Sequence, residues 1–377
     1  MKIPFNKPTI VGNELEYIRD AVESGKISGD GKYTKLCSEF LENTFKAKKV
    51  MLTTSCTHAL EMSAILLNIG EGDEVIMPSF TFVSTVNAFC LRGAKPVFVD
   101  IRQDTKNIDE ELIEEKISER TKAIVPVHYA GVSCNMNRIM EISKKHSIPV
   151  IEDAAQGVNS TYQGGFLGTI GDMGAYSFHE TKNFISGEGG AIVLNNEDYI
   201  ERAEIIREKG TNRSKFYRGE VDKYTWVDIG SSYLPSDLLA AFLYAQLKKM
   251  HEITEKRLKL FKNYSDALKT LEERKLISLP YIPDDCKING HIFYIMLNDP
   301  KTRDGLMQFL KEKEILSVFH YVPLHTSPMG RMYGYGEGDL KVTEFVSERL
   351  LRLPYYYDLK DDEQKFIFAS IKEYFNK

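Results

Sequence analysis

Lys182 stands in a setting that surface lysines lack. Residues 176–191 read Tyr-Ser-Phe-His-Glu-Thr-Lys-Asn-Phe-Ile-Ser-Gly-Glu-Gly-Gly-Ala. An apolar strand over 175–178 runs toward the lysine, and a Gly-rich turn at 187–190 leads into a second apolar strand, 191–194. A lysine in a tight loop between two buried strands is drawn out of water, which lowers its pKa and leaves an amine able to condense with a carbonyl. The plain alternative is a solvated loop lysine. A second stretch, 149–156, reads Pro-Val-Ile-Glu-Asp-Ala-Ala-Gln, with strand character ending at Asp153 and Gln156 three positions on. A carboxylate at the carboxyl end of a parallel strand stands where open α/β sheets bind ligands; alone, Asp153 would read equally as a helix cap.

Taken together, a buried lysine, a strand-end aspartate and a Gly-rich turn point to pyridoxal phosphate. That cofactor needs an amine for its carbonyl and an acid against its pyridine nitrogen, so that the ring stays protonated and draws electrons.

The elements that must position these groups alternate. Strand patterns at 50–53, 74–77, 96–100, 123–127 and around Val150 are separated by helical patterns at 57–67, 81–91 and 136–146. Strands alternating with helices predict an α/β domain on a largely parallel sheet. Residues 1–45 hold two helical patterns split by a Gly-rich loop, 24–31. Lys32 is followed there by Tyr33 where a nucleotide-triphosphate loop needs Ser or Thr. Beyond the second Gly-flanked strand come an amphipathic helix (198–209), a polar loop (210–233) and a long helical tract (238–271). A strand (291–297), a helix (304–313) and another strand (316–320) follow.

The chain has 377 residues, enough for two or three domains, with 42% hydrophobic and 27% charged residues. The net charge of −5 argues against general nucleic-acid binding. Five scattered cysteines form no C-x-x-C pair, so neither a disulfide framework nor a metal site is expected, and a reducing cytoplasm fits best. No apolar run approaches the ~20 residues that span a bilayer, and no signal-peptide pattern opens the chain.

These motifs resemble a known family. Residues 152–156 (Glu-Asp-Ala-Ala-Gln), Ser177-Phe178-His179, Thr181-Lys182 and residues 187–191 (Gly-Glu-Gly-Gly-Ala) are similar to the DegT/DnrJ/EryC1/StrS sugar aminotransferases. The resemblance extends from residue 3 to residue 354. It implies the type I aminotransferase fold: a large cofactor domain (1–250) on a mostly parallel seven-stranded sheet, and a smaller C-terminal α/β domain (251–377). It also implies that Lys182 carries pyridoxal 5'-phosphate, with Asp153 against the ring nitrogen and Gln156 beside it. Phe82 would lie on the ring face, and the phosphate would rest on the backbone of Cys56 and Thr57 with the Ser177 hydroxyl. Cys56 replaces a Gly more common in the family; it has no local basic partner to make it a nucleophile.

Within the family, residues 178–183, 208–213 and 222–226 resemble the subgroup that moves the amino group of L-glutamate to C4 of dTDP-4-keto-6-deoxy-D-glucose. The product there is dTDP-4-amino-4,6-dideoxy-D-galactose, a precursor for enterobacterial common antigen or lipopolysaccharide. The gluco epimer and other nucleotide-linked keto sugars remain open. A related dehydratase subgroup carries histidine at the lysine position, and Lys182 argues against it; a non-catalytic regulator would lack use for the whole set. In loop 210–233, Arg213, Lys215, Arg218 and Lys223 interleave with Tyr217, Tyr224 and Trp226, which suits a nucleotide diphosphate or simply a solvated loop. The resemblance further implies a homodimer with shared active sites. Ser232 would stand in for an Asn that reaches the partner's cofactor phosphate. His320, Tyr321 and His325 lie in a segment that returns to the active site, although a capping or core role for His325 would read the same. His128 is equally a pocket residue or an internally satisfied one.

Overall fold

Short apolar runs bounded by Gly, Ser, Pro or Asp form the seven strands of the main sheet in the computed structural model, which describes residues 2–376. They are β1 (Lys49–Thr53), β2 (Glu74–Pro78), β3 (Lys95–Val99), β4 (Thr121–Ile124), β5 (Ile151–Asp153), β6 (Met173–Ser177) and β7 (Gly190–Leu194). A three-stranded ladder, β3-β2-β4, and a four-stranded one, β1-β7-β6-β5, are joined by parallel bridges from Ile124 to Val150 and from Val127 to Asp153. The result is one sheet in the order β3-β2-β4-β5-β6-β7-β1. Only β7 runs against the rest, pairing antiparallel with both β6 and β1. The mostly parallel seven-stranded sheet expected from the sequence is present.

Both faces of this sheet are covered, and the strand period of two assigns the side chains to each. Val50 and Leu52 of β1 join Ile76, Ile124, Val150, Tyr176 and Val193 on one face. Helices α2 (Lys32–Phe45), α5 (Met136–His146) and α8 (Asp237–Lys248) pack there. Met51 points the other way, with Val75, Met77, Ile151, Met173 and Ile192, beneath α3 (Cys56–Leu66), α4 (Val83–Cys90) and α6 (Ile200–Arg207). Helix α1 (Glu14–Glu23) lies on α8.

The long tract over 238–271 is two helices, α8 and α9 (Met250–Glu273), which meet at Lys249. Leu260, Tyr264 and Leu268 of α9 enter a separate core with Phe293, Ile295, Leu310, Leu351 and Ile371, and with Ile3 from the start of the chain. A small antiparallel sheet runs through it: Ile277–Ser278 (β8), Tyr294–Leu297 (β9) and Leu350–Arg352 (β10). The strand expected at 316–320 is reduced to one bridge, Val318 to Arg352, because β10 has already taken its place beside β9. Loop 210–233 contains one short helix, α7 (Arg213–Tyr217).

Candidate active site

Strands β1, β2, β5 and β6 run in one direction, so their carboxyl ends meet at one edge of the sheet, where α/β sheets bind ligands. A cavity of about 480 Å³ opens there, and His291 and Ile292 just before β9, Arg352 of β10 and the 320–321 segment close its far side. Lys182, Asp153, Gln156, Ser177, Cys56 and Thr57 all line it. Phe82 does too, 59% exposed at the start of α4, with a ring face free to take a flat ligand. His320 and Tyr321 complete the predicted residues that converge here.

Asp153 ends β5 and is nearly buried. One carboxylate oxygen accepts the Thr85 hydroxyl at 2.7 Å and the other accepts the Ala155 N–H at 3.1 Å. Thr81 bonds Thr85 in turn at 2.7 Å, so a hydroxyl chain from the α4 end holds the carboxylate. Gln156 accepts the Ala130 N–H at 2.7 Å and donates to the Tyr321 hydroxyl at 2.9 Å. Lys182 follows a turn in which its N–H donates to the His179 carbonyl. Burial lowers its pKa below the ordinary lysine value, opposed by the nearby Cys56 and Asp153 and assisted by Arg352. The amine therefore reaches its neutral, nucleophilic form more readily than a surface lysine.

At the end of β1, Ser55 caps α3 by accepting the His58 N–H at 3.1 Å. The N–H groups of Cys56 and Thr57, in the first turn, have no acceptor among the described residues, and both residues line the cavity. Unpaired N–H groups at a helix start form an anion cradle. Gly190 is needed beside it, because a Cβ there would meet the Cys56 nitrogen at 2.4 Å. Burial pushes the Cys56 thiol well above its usual pKa despite Lys182 nearby, so the backbone, and not the thiol, is the usable group.

Three groups that line the cavity, two of them on its far wall, were not among the sequence candidates. His291 bonds Asn183 at 2.9 Å through Nδ1, and Asn183 gives its own amide to the Asn289 carbonyl at 3.0 Å. Asn183 thus accepts, so Nδ1 carries the proton and Nε2 is left as an acceptor. Burial, with Lys182 and Arg257 adding to it, holds His291 well below the usual histidine pKa, and His320 is depressed likewise. Arg352, at the end of β10, shares the far wall, and Thr85 of α4, on the Asp153 side, completes the trio. A lone Arg in the run Leu-Leu-Arg-Leu-Pro, 350–354, was the available signal for Arg352.

Other candidates lie elsewhere. His325 is fully buried away from the cavity, with Nδ1 on Ser79 at 2.7 Å and Nε2 on Glu344 at 2.9 Å, so it ties two segments together and meets no ligand. His128 is likewise internal: Nε2 bonds Glu152 at 2.8 Å and Nδ1 accepts the Cys134 N–H. Within one chain the loop cations do not reach the Lys182 cavity. Lys215 pairs with Glu201 and Arg218 with Glu204 and Glu220, while Arg213 packs against Tyr217 and pairs loosely with Glu208. Ser232 lines a separate surface cleft with Arg213 and Arg218, and Lys223 is exposed.

Residues 8–372 match the DegT/DnrJ/EryC1/StrS aminotransferase family. The chain belongs to that family. It is 31% identical to the spore coat polysaccharide biosynthesis protein SpsC of Bacillus subtilis, over 98% of this chain and 96% of that one. Among solved structures it superposes on Spr1654 of Streptococcus pneumoniae in its PLP form (TM-score 0.91, 26% identity, 99% and 98% of the two chains). It also superposes on Helicobacter pylori PseC, an aminotransferase involved in the biosynthesis of pseudoaminic acid (TM-score 0.90, 25% identity, 100% of both chains). This DegT-family chain is a pyridoxal phosphate-dependent sugar aminotransferase with the type I fold. Its residues fit the cofactor: a lysine whose pKa burial lowers, a hydrogen-bonded strand-end carboxylate and the first turn of α3 line one cavity.

Proposed function

We propose that the protein transfers the amino group of L-glutamate to C4 of dTDP-4-keto-6-deoxy-D-glucose, giving 2-oxoglutarate and dTDP-4-amino-4,6-dideoxy-D-galactose for a cell-surface polysaccharide. The observation that carries the amino-transfer reading is the placement of Lys182 and Asp153 in one cavity beside the free first turn of α3. Bound pyridoxal phosphate supplies the electron sink that stabilises negative charge on the donor's Cα. The chain's residues do the rest. Lys182 Nζ, its pKa lowered by burial, takes the proton from the donor's Cα and in the second half-reaction gives one to C4 of the sugar. Asp153, oriented by Thr85 and the Ala155 N–H, would hold the pyridine nitrogen. The Cys56 and Thr57 N–H groups and the Ser177 hydroxyl, all of which line the cavity, would hold the phosphate, and Phe82 would cover the ring.

The sugar assignment rests on the similarity of residues 178–183, 208–213 and 222–226 to the C4 subgroup. The polysaccharide role of SpsC and the pseudoaminic acid role of PseC accord with a nucleotide-linked sugar. The working unit in this proposal is a cytoplasmic two-fold homodimer. Loop 210–233 would then serve the partner's cavity: Ser232 toward the cofactor phosphate, and Arg213, Lys215, Arg218 and Lys223 toward the sugar's diphosphate. The exposure of Trp226 (77%) and Tyr217 (68%) supports a covered role for that loop. The test is NMR of the product formed from dTDP-4-keto-6-deoxy-D-glucose and glutamate. An axial C4 amine is expected; an equatorial amine, or no product from this sugar, rejects the assignment.

A further inference from the structure

The turn that carries Lys182 is tied to the far wall of the cavity by one side chain. Residues 178–189 otherwise close on themselves. The Glu180 N–H donates to the Gly187 carbonyl at 2.9 Å, the Ser186 N–H to the Phe178 carbonyl at 2.8 Å and the Lys182 N–H to the His179 carbonyl at 2.9 Å. The side chains of His179 and Thr181 bond each other, and the Ser186 hydroxyl donates to the Glu188 carbonyl. Among the described residues of this turn, Asn183 alone sends side-chain hydrogen bonds outside it. It follows Lys182 directly and is buried. Its Nδ2 donates to the Asn289 carbonyl at 3.0 Å, and its Oδ1 accepts from His291 Nδ1 at 2.9 Å.

The segment that receives these bonds is itself fixed at each residue. Asn289 Nδ2 donates to the carbonyls of Gln156 at 2.9 Å and Val158 at 2.8 Å. Arg257 of α9 donates from Nε to the Gly290 carbonyl at 2.8 Å and from a terminal nitrogen to the His291 carbonyl at 2.7 Å. Asn183 is thus moored to a rigid strap. The same bonds settle the form of His291. A carbonyl only accepts, so the Asn289 oxygen takes the NH₂ end of the Asn183 amide and leaves Oδ1 for the imidazole, whose Nδ1 must carry the proton. His291 lines the cavity and Asn183 does not, so the ring edge away from Nδ1 is the one turned to the cavity. That edge carries Nε2, which is neither bonded to a described residue nor sealed off. Burial keeps it from taking a second proton.

We infer that Asn183 is a positioning residue for the amino transfer: its one amide moors the Lys182 turn to the far wall and fixes His291 as a neutral hydrogen-bond acceptor in the cavity. The inference rests on the amino-transfer reading above and deepens it. Lys182 has to move protons in both half-reactions, and a small misplacement of a reacting group costs rate steeply. Its turn has no other polar side-chain tether among the described residues, so the Asn183 amide sets where the lysine starts from. At the other end of that amide, a bare Nε2 welcomes hydroxyl or amine hydrogens and repels carboxylate oxygens.

The experiment uses the holoenzyme with isotopically labelled imidazole nitrogens, and His291→Gln to assign the NMR signals of that ring. Wild type should show His291 protonated on Nδ1 and bare on Nε2. Asn183→Ala should lose this single form and show both tautomers in exchange. The same variant is followed through each half-reaction by cofactor absorbance, with rates divided by the cofactor bound. Both half-reactions should slow about ten- to hundredfold, which is roughly 1.4–2.7 kcal/mol at 1.36 kcal/mol per factor of ten and the scale of two hydrogen bonds. The KM values for glutamate and keto sugar should stay within about threefold of wild type, because the amide lies outside the cavity that takes them. An asparagine that only supports the fold would lower melting temperature and cofactor content and leave the rate per bound cofactor unchanged; that result overturns the inference. So does a wild-type His291 protonated on Nε2, a measurement that needs no Asn183 variant to fold. If wild-type enzyme moves no amine from glutamate to a keto sugar, the functional reading falls, while the His291 signals still decide what Asn183 does.

Discussion

Replacing Asp153 by Asn isolates the charge that the site depends on. The change is isosteric, and its neighbours can absorb it. The Ala155 N–H can still donate to the remaining carbonyl oxygen. Thr85, bonded to Thr81 at 2.7 Å, can turn its hydroxyl toward Thr81 and accept from the new amide. The fold should therefore lose less than about 1 kcal/mol, the scale of one neutral hydrogen bond. The effect on the reaction is larger. Removing one member of a buried ion pair costs roughly 3–5 kcal/mol, and each 1.36 kcal/mol is a factor of ten in rate. The turnover of cofactor-saturated Asp153→Asn should fall by about 10²- to 10⁴-fold, while its melting temperature stays close to wild type. The variant should also lower the Lys182 pKa further, because Asp153 is one of the two groups that raise it. Steady-state turnover with glutamate, measured at saturating pyridoxal phosphate, reads this directly. A rate within about threefold of wild type would refute the assignment, since the ring nitrogen would then have another partner.

Two further outcomes follow from the same contacts. Glu152, adjoining Asp153 but facing the opposite side of the sheet, is fully buried and accepts from His128 and from the N–H groups of Gly168, Ile170 and Gly171. Glu152→Ala would leave four donors without an acceptor and should destabilise the protein by about 3–5 kcal/mol; an unchanged urea midpoint contradicts this. For Lys182, the folded-state pKa lies below the ordinary 10.5. The neutral amine is therefore reached before a free lysine would titrate, and apoenzyme should recombine with pyridoxal phosphate at a rate that rises with pH and levels off below pH 10.5. The same shift means that the cost of burying the charged amine is present at low pH. It declines as pH rises through the folded pKa, and is gone above the unfolded value, so apoenzyme gains stability across that window. A recombination rate still climbing at pH 10.5 would show that burial does not neutralise the amine.

Much of the cavity floor was legible because its residues are tied to strand ends. The apolar runs ending at Thr53, Asp153 and Ser177 announce both the sheet and the edge at which Cys56, Asp153 and Lys182 must meet. The far wall was not legible, because Arg352 and His291 reach the cavity only through packing of a second core that is distant in sequence. His325 shows the opposite failure. Its segment does return to the cavity, yet the side chain turns inward to Ser79 and Glu344, and no local pattern distinguishes that orientation from an outward one. The single helical tract over 238–271 breaks at Lys249, and α9 begins on the core of α8 with Met250 and Ile253 before passing to the second core from Leu260, which hydrophobic periodicity within either helix does not reveal.

The central claim is that Lys182, alone among the lysines, carries the cofactor. Holoenzyme reduced with borohydride and digested should yield a single phosphopyridoxyl adduct, on the peptide containing Lys182, with about one adduct per chain. An adduct on another lysine, or an active enzyme with none, would contradict the account.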